Sequence, residues 1–158
     1  MKVHEYDVFL NENRIPYLKQ VRDTGLTDAD ELCSPQAVSD TVRRLYHVEQ
    51  LPEEHVWLLA LDAKNHMIGT FEISRGTYNR TAVIPAQIIQ RALLCGAFGI
   101  ILVHNHPSGD PEPSEEDRLI TIRLKQAAEL YGVELVDHVI VTGAWKDKFY
   151  SFKEQQVI

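Results

Sequence analysis

The chain has 158 residues, 44% hydrophobic and 25% charged, proportions that fit one folded domain and exclude a largely disordered chain. Its 16 basic and 23 acidic side chains leave a net charge of −7, which argues against a stand-alone nucleic-acid binder, since that class normally carries a basic patch. Two cysteines, Cys33 and Cys95, are too few for a disulfide scaffold, and no apolar run approaches the roughly 20 residues of a membrane helix.

The opening MKVHEYDVFL has no apolar signal core, so a cytoplasmic protein with reduced thiols and no membrane partner is expected. Residues 1–33 read as a polar, irregular N-terminal extension. Within it Tyr6, Val8 and Leu10 alternate as in a short strand, and Tyr17 to Val21 suggest another. A soft boundary near residue 33 opens the main domain, 34–158. Ser34-Pro35 supplies an N-cap and a first-turn proline, and the apolar spacing predicts a helix over 35–47.

Val56 to Leu61 and Met67 to Ser74, split by Asp62-Ala63-Lys64-Asn65-His66, form a hairpin pattern that Arg75-Gly76-Thr77 ends. Pro85 opens a second helix with Ile88, Ile89, Ala92 and Leu93 on one face and Gly96 as its C-cap. Phe98 to Val103 suits a strand buried on both faces. After a proline-rich loop, Ser114 starts a long helix with Ile120, Leu124, Ala127 and Tyr131 on its buried face, stopped by Gly132. Val133 to Val141 is the last strong strand. Alternating strands and helices give an α/β layered domain with a mixed sheet.

Seven histidines raise the question of a metal. His104 and His106 follow the buried strand, and residues two apart share a face. By itself this pattern leaves metal binding and solvent-facing loop histidines both open. Ser114 and Asp117 read first as a capping box, in an acid-rich helix start that also holds Asp110, Glu112, Glu115 and Glu116. Two histidines and one carboxylate are also a three-ligand set that leaves zinc a position for water, and nitrogen ligands favour zinc over magnesium. Such a site needs a base. Glu72 is the candidate, a carboxylate in a strand pattern that on spacing alone reads as a solvent-facing residue.

Glu72, then His104-x-His106, seven residues, and Ser114-x-x-Asp117 together resemble the JAMM motif of the MPN-plus (JAB) metalloprotease domains. FEISRGT at 71–77, ILVHNHPSGDPEPSEED at 101–117, LVDHVIV at 135–141 and YSF at 150–152 are similar to the RadC-like branch, as is SPQAV at 34–38. The resemblance covers residues 34–153. It implies a deaminase-like three-layer α/β/α sandwich around a mixed sheet. It also implies a catalytic-type zinc ligated by His104, His106 and Asp117, with Glu72 activating water and Ser114 bonding that water or the oxyanion. The activity implied is hydrolysis of an amide, peptide or isopeptide bond in a peptide or protein substrate. The alternative is a non-catalytic interaction domain in DNA repair or mobile-element biology, as the family name suggests.

Two departures bear on this. The 33 residues before the domain cannot hold the helix-hairpin-helix region of longer RadC proteins, so DNA contact made there is not expected. Pro85-Ala86-Gln87 stands where the family usually reads Pro-Arg-Glu, which bears on substrate preference. The adjacent letters HNH do not make an HNH nuclease, whose motif positions are widely spaced. The absence of a C-x-x-C excludes a nucleobase deaminase. His138 reads as a structural strand histidine, with a role in orienting a ligand as the alternative. His4, His47, His55 and His66 are expected at the surface, and Cys95 buried and inert.

Overall fold

The computed structural model describes residues 1–27, 32, 34–76, 83–143 and 148–158. Cys33 and Thr77, expected as a reduced thiol and a strand-end residue, lie outside the described residues. Ser34 caps α1 (Pro35–Tyr46), its Oγ accepting from the Ala37 amide at 3.2 Å, a contact worth about 1 kcal/mol. Helix α2 (Pro85–Cys95) ends at Gly96, whose φ of +69° favours glycine. Helix α3 spans Glu115–Leu130.

The hairpin falls where expected, as β3 (His55–Leu61) and β4 (Met67–Arg75). Asp62 Oδ1 closes its turn by accepting from the amides of Lys64 and His66. The central strand β5 is Gly99–His106, buried until its last residue. Phe98 lies just outside it and is exposed. Strands β6 (Glu134–Thr142) and β7 (Phe149–Ser151) complete the far side.

The N-terminal segment is more regular than its composition predicts. Residues Lys2–Leu10 (β1) and Pro16–Thr27 (β2) form a long antiparallel hairpin. β1 also lies parallel to β4 through Glu5 and Thr70. β2 is an edge strand exposed along most of its length, so polar residues suit it and hide it from a search for apolar alternation.

The seven strands among the described residues make one mixed sheet in the order β2-β1-β4-β3-β5-β6-β7. α1 covers one face, over Trp57, Leu59, Ile101, Val103 and Val139. α2 and α3 cover the other, over Leu58, Phe71, Ile100, Leu102 and Leu135. This is the expected three-layer α/β/α sandwich. Two helix stripes differ from expectation. Leu93 and Tyr131 are exposed, and α3 buries Thr121, Leu124 and Ala128. A hydrophobicity pattern cannot point to Thr121, which turns inward for a hydrogen bond described below.

Candidate metal centre

The pleat of β5 sends alternate side chains to opposite faces. Ile100 and Leu102 face α2 and α3, so His104 and His106 continue that row. Gly109, at φ +82°, turns the following loop, and α3 begins beside the strand end. There Ser114 and Asp117 form a full capping box. Ser114 Oγ accepts from the Asp117 amide at 3.2 Å, and Asp117 Oδ2 accepts from the Ser114 amide at 2.7 Å. The Ser114 hydroxyl also donates to Oδ2 at 2.6 Å.

Capping and ligation are therefore not rivals at Asp117. The cap orients the carboxylate, and Oδ1 lies 3.3 Å from His104 Nε2. Oδ2 lies 3.6 Å from His106 Nε2, and the two Nε2 atoms are 3.0 Å apart. Zinc bonds of about 2.0–2.1 Å place tetrahedral corners about 3.3 Å from one another; the contacts here, each to one or the other carboxylate oxygen, are of that order, and the nitrogen and oxygen donors suit the ion in type. Among the described residues they are the one group of His, Cys, Asp and Glu side chains close enough to share a metal. Two other acids of the helix start have scaffold roles: Asp110 Oδ1 accepts from the Glu112 amide, and Glu112 pairs with Arg118.

The electrostatics agree with a cation site. Burial pushes the His104 imidazole down to about 4, with Asp117 opposing and His106 reinforcing the shift. Burial lowers His138 too, well below the usual histidine range. Burial also disfavours the His106 cation, but bonds to Asp117 and the Asp110 carbonyl, with the charges of Asp117 and Glu54, outweigh it and raise its pKa. The Asp117 carboxyl is raised by burial, yet His106, His104 and Ser114 hold it well below the usual carboxylate range. Three acceptors thus converge, and in the metal-free protein only a proton on His106 offsets them. His106 Nδ1–H donates to the Asp110 carbonyl at 2.9 Å, so Nε2 is the nitrogen turned to the cluster.

The structure places Glu72 elsewhere. It pairs with Trp57 across the β3–β4 ladder, and directly opposed residues share a face. Trp57 belongs to the cluster under α1, so Glu72 points away from the histidines. Its Oε1 lies 2.6 Å from His55 Nδ1. His55, expected at the surface, is buried and stacks on Trp57 with centroids 5.4 Å apart. A register shift between Val56 and Trp57 carries Ser74, expected on the face of Glu72, to the opposite side.

On the metal side, besides Glu116 of α3, stands Glu54, just before β3. It borders a cavity of about 490 Å³ whose wall includes His104, Ser114 and Asp117. Asn105, the middle residue of the His-Asn-His triplet, holds Glu54's neighbours. Its Oδ1 accepts from the His55 amide at 2.7 Å, and its Nδ2 donates to the Glu53 carbonyl at 2.9 Å. The Gly76 amide donates to the Glu54 carbonyl at 2.7 Å. The sequence carried one signal for Glu54, a carboxylate at the mouth of a buried strand. Val56, Leu102 and Ile120 give the same cavity an apolar wall. Cys95 is half-buried; its thiol donates to the Ala92 carbonyl, and burial raises its pKa.

An α/β/α sandwich with a His-His-Asp cluster where its central strand meets a capped helix is the architecture of a JAB-type domain. A family model described as RadC-like JAB domain matches residues 32–157. The chain is 43% identical over 124 residues to a UPF0758 protein of Thermotoga maritima, covering 77% of this chain and 54% of that one. It is 52% identical over 106 residues to a UPF0758 protein of Coprothermobacter proteolyticus, covering 67% and 44%. With one from Pelobacter propionicus it is 38% identical over 133 residues, covering 84% and 56%. The chain belongs to the RadC-like JAB domain family and spans about half the length of the curated relatives it matches. No helix among the described residues is long and apolar enough to cross a membrane.

Proposed function

We propose that this domain is a zinc-dependent hydrolase of amide bonds, acting on a peptide or protein with an apolar group beside the scissile bond. The observation that carries this reading is the convergence of His104, His106 and Asp117, close enough to share one ion, beside a cavity that His104, Asp117 and Glu54 border. Zinc held by the three donors would supply Lewis acidity, acidifying water and polarising a carbonyl.

The chain's own residues divide the remaining work. Glu54 takes the proton of the attacking water and delivers it to the leaving amine, so that the C–N bond breaks as an amine is released. Glu54 replaces Glu72 in this role because Glu72 occupies the opposite face of the sheet. The single Ser114 hydroxyl proton is committed to Asp117 Oδ2, so Ser114 acts by fixing that carboxylate. Val56, Leu102 and Ile120 receive the apolar group and exclude water from it.

The test incubates the zinc-loaded protein with a complex peptide mixture and reads new termini by mass spectrometry. Cleavage is expected with the parent and with Glu72→Gln, and not with Glu54→Gln, which still binds zinc. Cleavage by Glu54→Gln at the parental rate refutes the assignment of the base. A zinc-loaded parent that cleaves nothing favours the non-catalytic reading.

A further inference from the structure

We propose that His138 and Thr121 are positioning residues of the metal centre: a one-way hydrogen-bond relay from Asp117 through them holds His104 in the tautomer that bares Nε2. The inference rests on the zinc reading above for its purpose, but its geometry stands on its own.

The relay starts at an atom that can only accept. Thr121 Oγ lies 2.5 Å from the Asp117 carbonyl oxygen, so the single hydroxyl proton of Thr121 goes to that carbonyl. Thr121 Oγ then meets His138 Nδ1 at 2.6 Å with only lone pairs to offer. His138 Nδ1 must therefore carry the proton, which leaves Nε2 of a neutral imidazole as an acceptor. His138 Nε2 lies 2.8 Å from His104 Nδ1, so the proton of His104 sits on Nδ1. His104 Nε2 is left with its lone pair directed at Asp117 and His106. Reversing any link places two lone pairs or two protons face to face at these distances.

The relay also closes on itself. Asp117 terminates it with its backbone carbonyl and faces the far end, His104 Nε2, with its carboxylate at 3.3 Å. The first turns of α3 thus supply one ligand and set the orientation of another. The His138 ring is fixed for this task. It stacks on Phe152 at 4.7 Å with the planes 5° apart. Asp137 braces both residues: Oδ1 accepts from the amides of His138 at 2.7 Å and Lys153 at 3.0 Å, and Oδ2 from the Ser151 hydroxyl at 2.6 Å. The Asp137-His138 pair and the closing Ser151-Phe152 therefore serve the metal centre from outside its ligand set.

Two measurements on the full chain test this. In protein stripped of metal by a chelator, long-range proton–nitrogen NMR at neutral pH reads the His104 tautomer. The parent and Thr121→Ser, which keeps the hydroxyl, are expected in the Nδ1–H form, and Thr121→Val is expected to lose that preference. Competition against a chromophoric chelator reads zinc affinity. Thr121→Val and His138→Phe should weaken binding by about 10–100-fold, while Thr121→Ser retains it and circular dichroism reports an unchanged fold. His104 in its Nε2–H form in the parent overturns the relay. So does a folded Thr121→Val that binds zinc as tightly as the parent. If His138→Phe does not fold, the near-isosteric Thr121 pair still decides. A parent that binds no zinc refutes the function proposed above, while the NMR measurement still decides the relay.

Discussion

Zinc should raise the melting temperature of this protein more at about pH 8 than at about pH 5.5, because a proton and the ion compete for the same nitrogen. In the metal-free protein the pKa of His106 is raised above its ordinary 6.5. Its stabilising contribution is full below 6.5 and lost as pH rises through the higher folded value. His104 behaves in the opposite sense. Its folded value of about 4 means a contribution present above 6.5 and lost as pH falls towards 4. At pH 5.5 His104 is therefore neutral, and the competing proton is the one on His106. That pH lies at least one unit below the raised value, so binding weakens at least about tenfold, or ~1.4 kcal/mol.

With zinc at about a thousandfold excess over its dissociation constant at the upper pH, stabilisation is about 4.1 kcal/mol, falling to about 2.7 or less at the lower one. For a chain of this size each kcal/mol moves the midpoint by about 2–4 °C, giving a shift of roughly 8–16 °C against at most roughly 5–11 °C. Differential scanning fluorimetry with and without zinc measures both. Equal shifts at the two pH values would refute competition at His106. No shift at either, or the same shift in His104→Ala, would refute the cluster as the binding site.

Other changes separate the roles of neighbouring groups. Glu72→Ala should cost about 1–3 kcal/mol by leaving buried His55 without its partner, with zinc affinity unchanged; a loss of zinc would return Glu72 to the metal face. Asn105→Ala orphans the His55 amide and the Glu53 carbonyl, at about 1–3 kcal/mol each. Chemical denaturation should show this loss, and a neutral result would contradict the bracing of Glu54. Ser114→Ala should cost about 0.5–2 kcal/mol as a lost cap and also weaken zinc binding; parental affinity would mean that the cap does not orient Asp117. A salt titration should detect no binding of duplex or single-stranded DNA even at low salt, and tight salt-dependent binding would favour the DNA-associated reading.

The sequence by itself determined much of the architecture, because local chemistry carried it. Ser34-Pro35, Gly96 and Ser114-x-x-Asp117 mark helix ends through caps that require only adjacent atoms. The apolar run of β5 marks a strand covered on both faces. The candidate ligands were legible for the same reason: His104 and His106 are two apart on a strand, and Asp117 is three from its own cap.

Tertiary structure decided what depends on register and on facing elements. The pairing of Glu72 with Trp57 turned that carboxylate to His55, and the shift between Val56 and Trp57 carried Ser74 to the cavity side, where Glu54 stands just before β3. No pattern within one strand reports a bulge created by its partner. Polar β1 and β2 became strands because pairing satisfies their backbones at a sheet edge. Thr121 and His138 lie 17 residues apart and Thr121 interrupts an apolar stripe, so their bond exists only once α3 packs on β6. The seven histidines and the acidic charge with which the sequence begins are in this way sorted by the fold. Two face one carboxylate, a third fixes the tautomer of His104, and His55 stands on the other side of the sheet, because side-chain direction in a strand is settled by its neighbours.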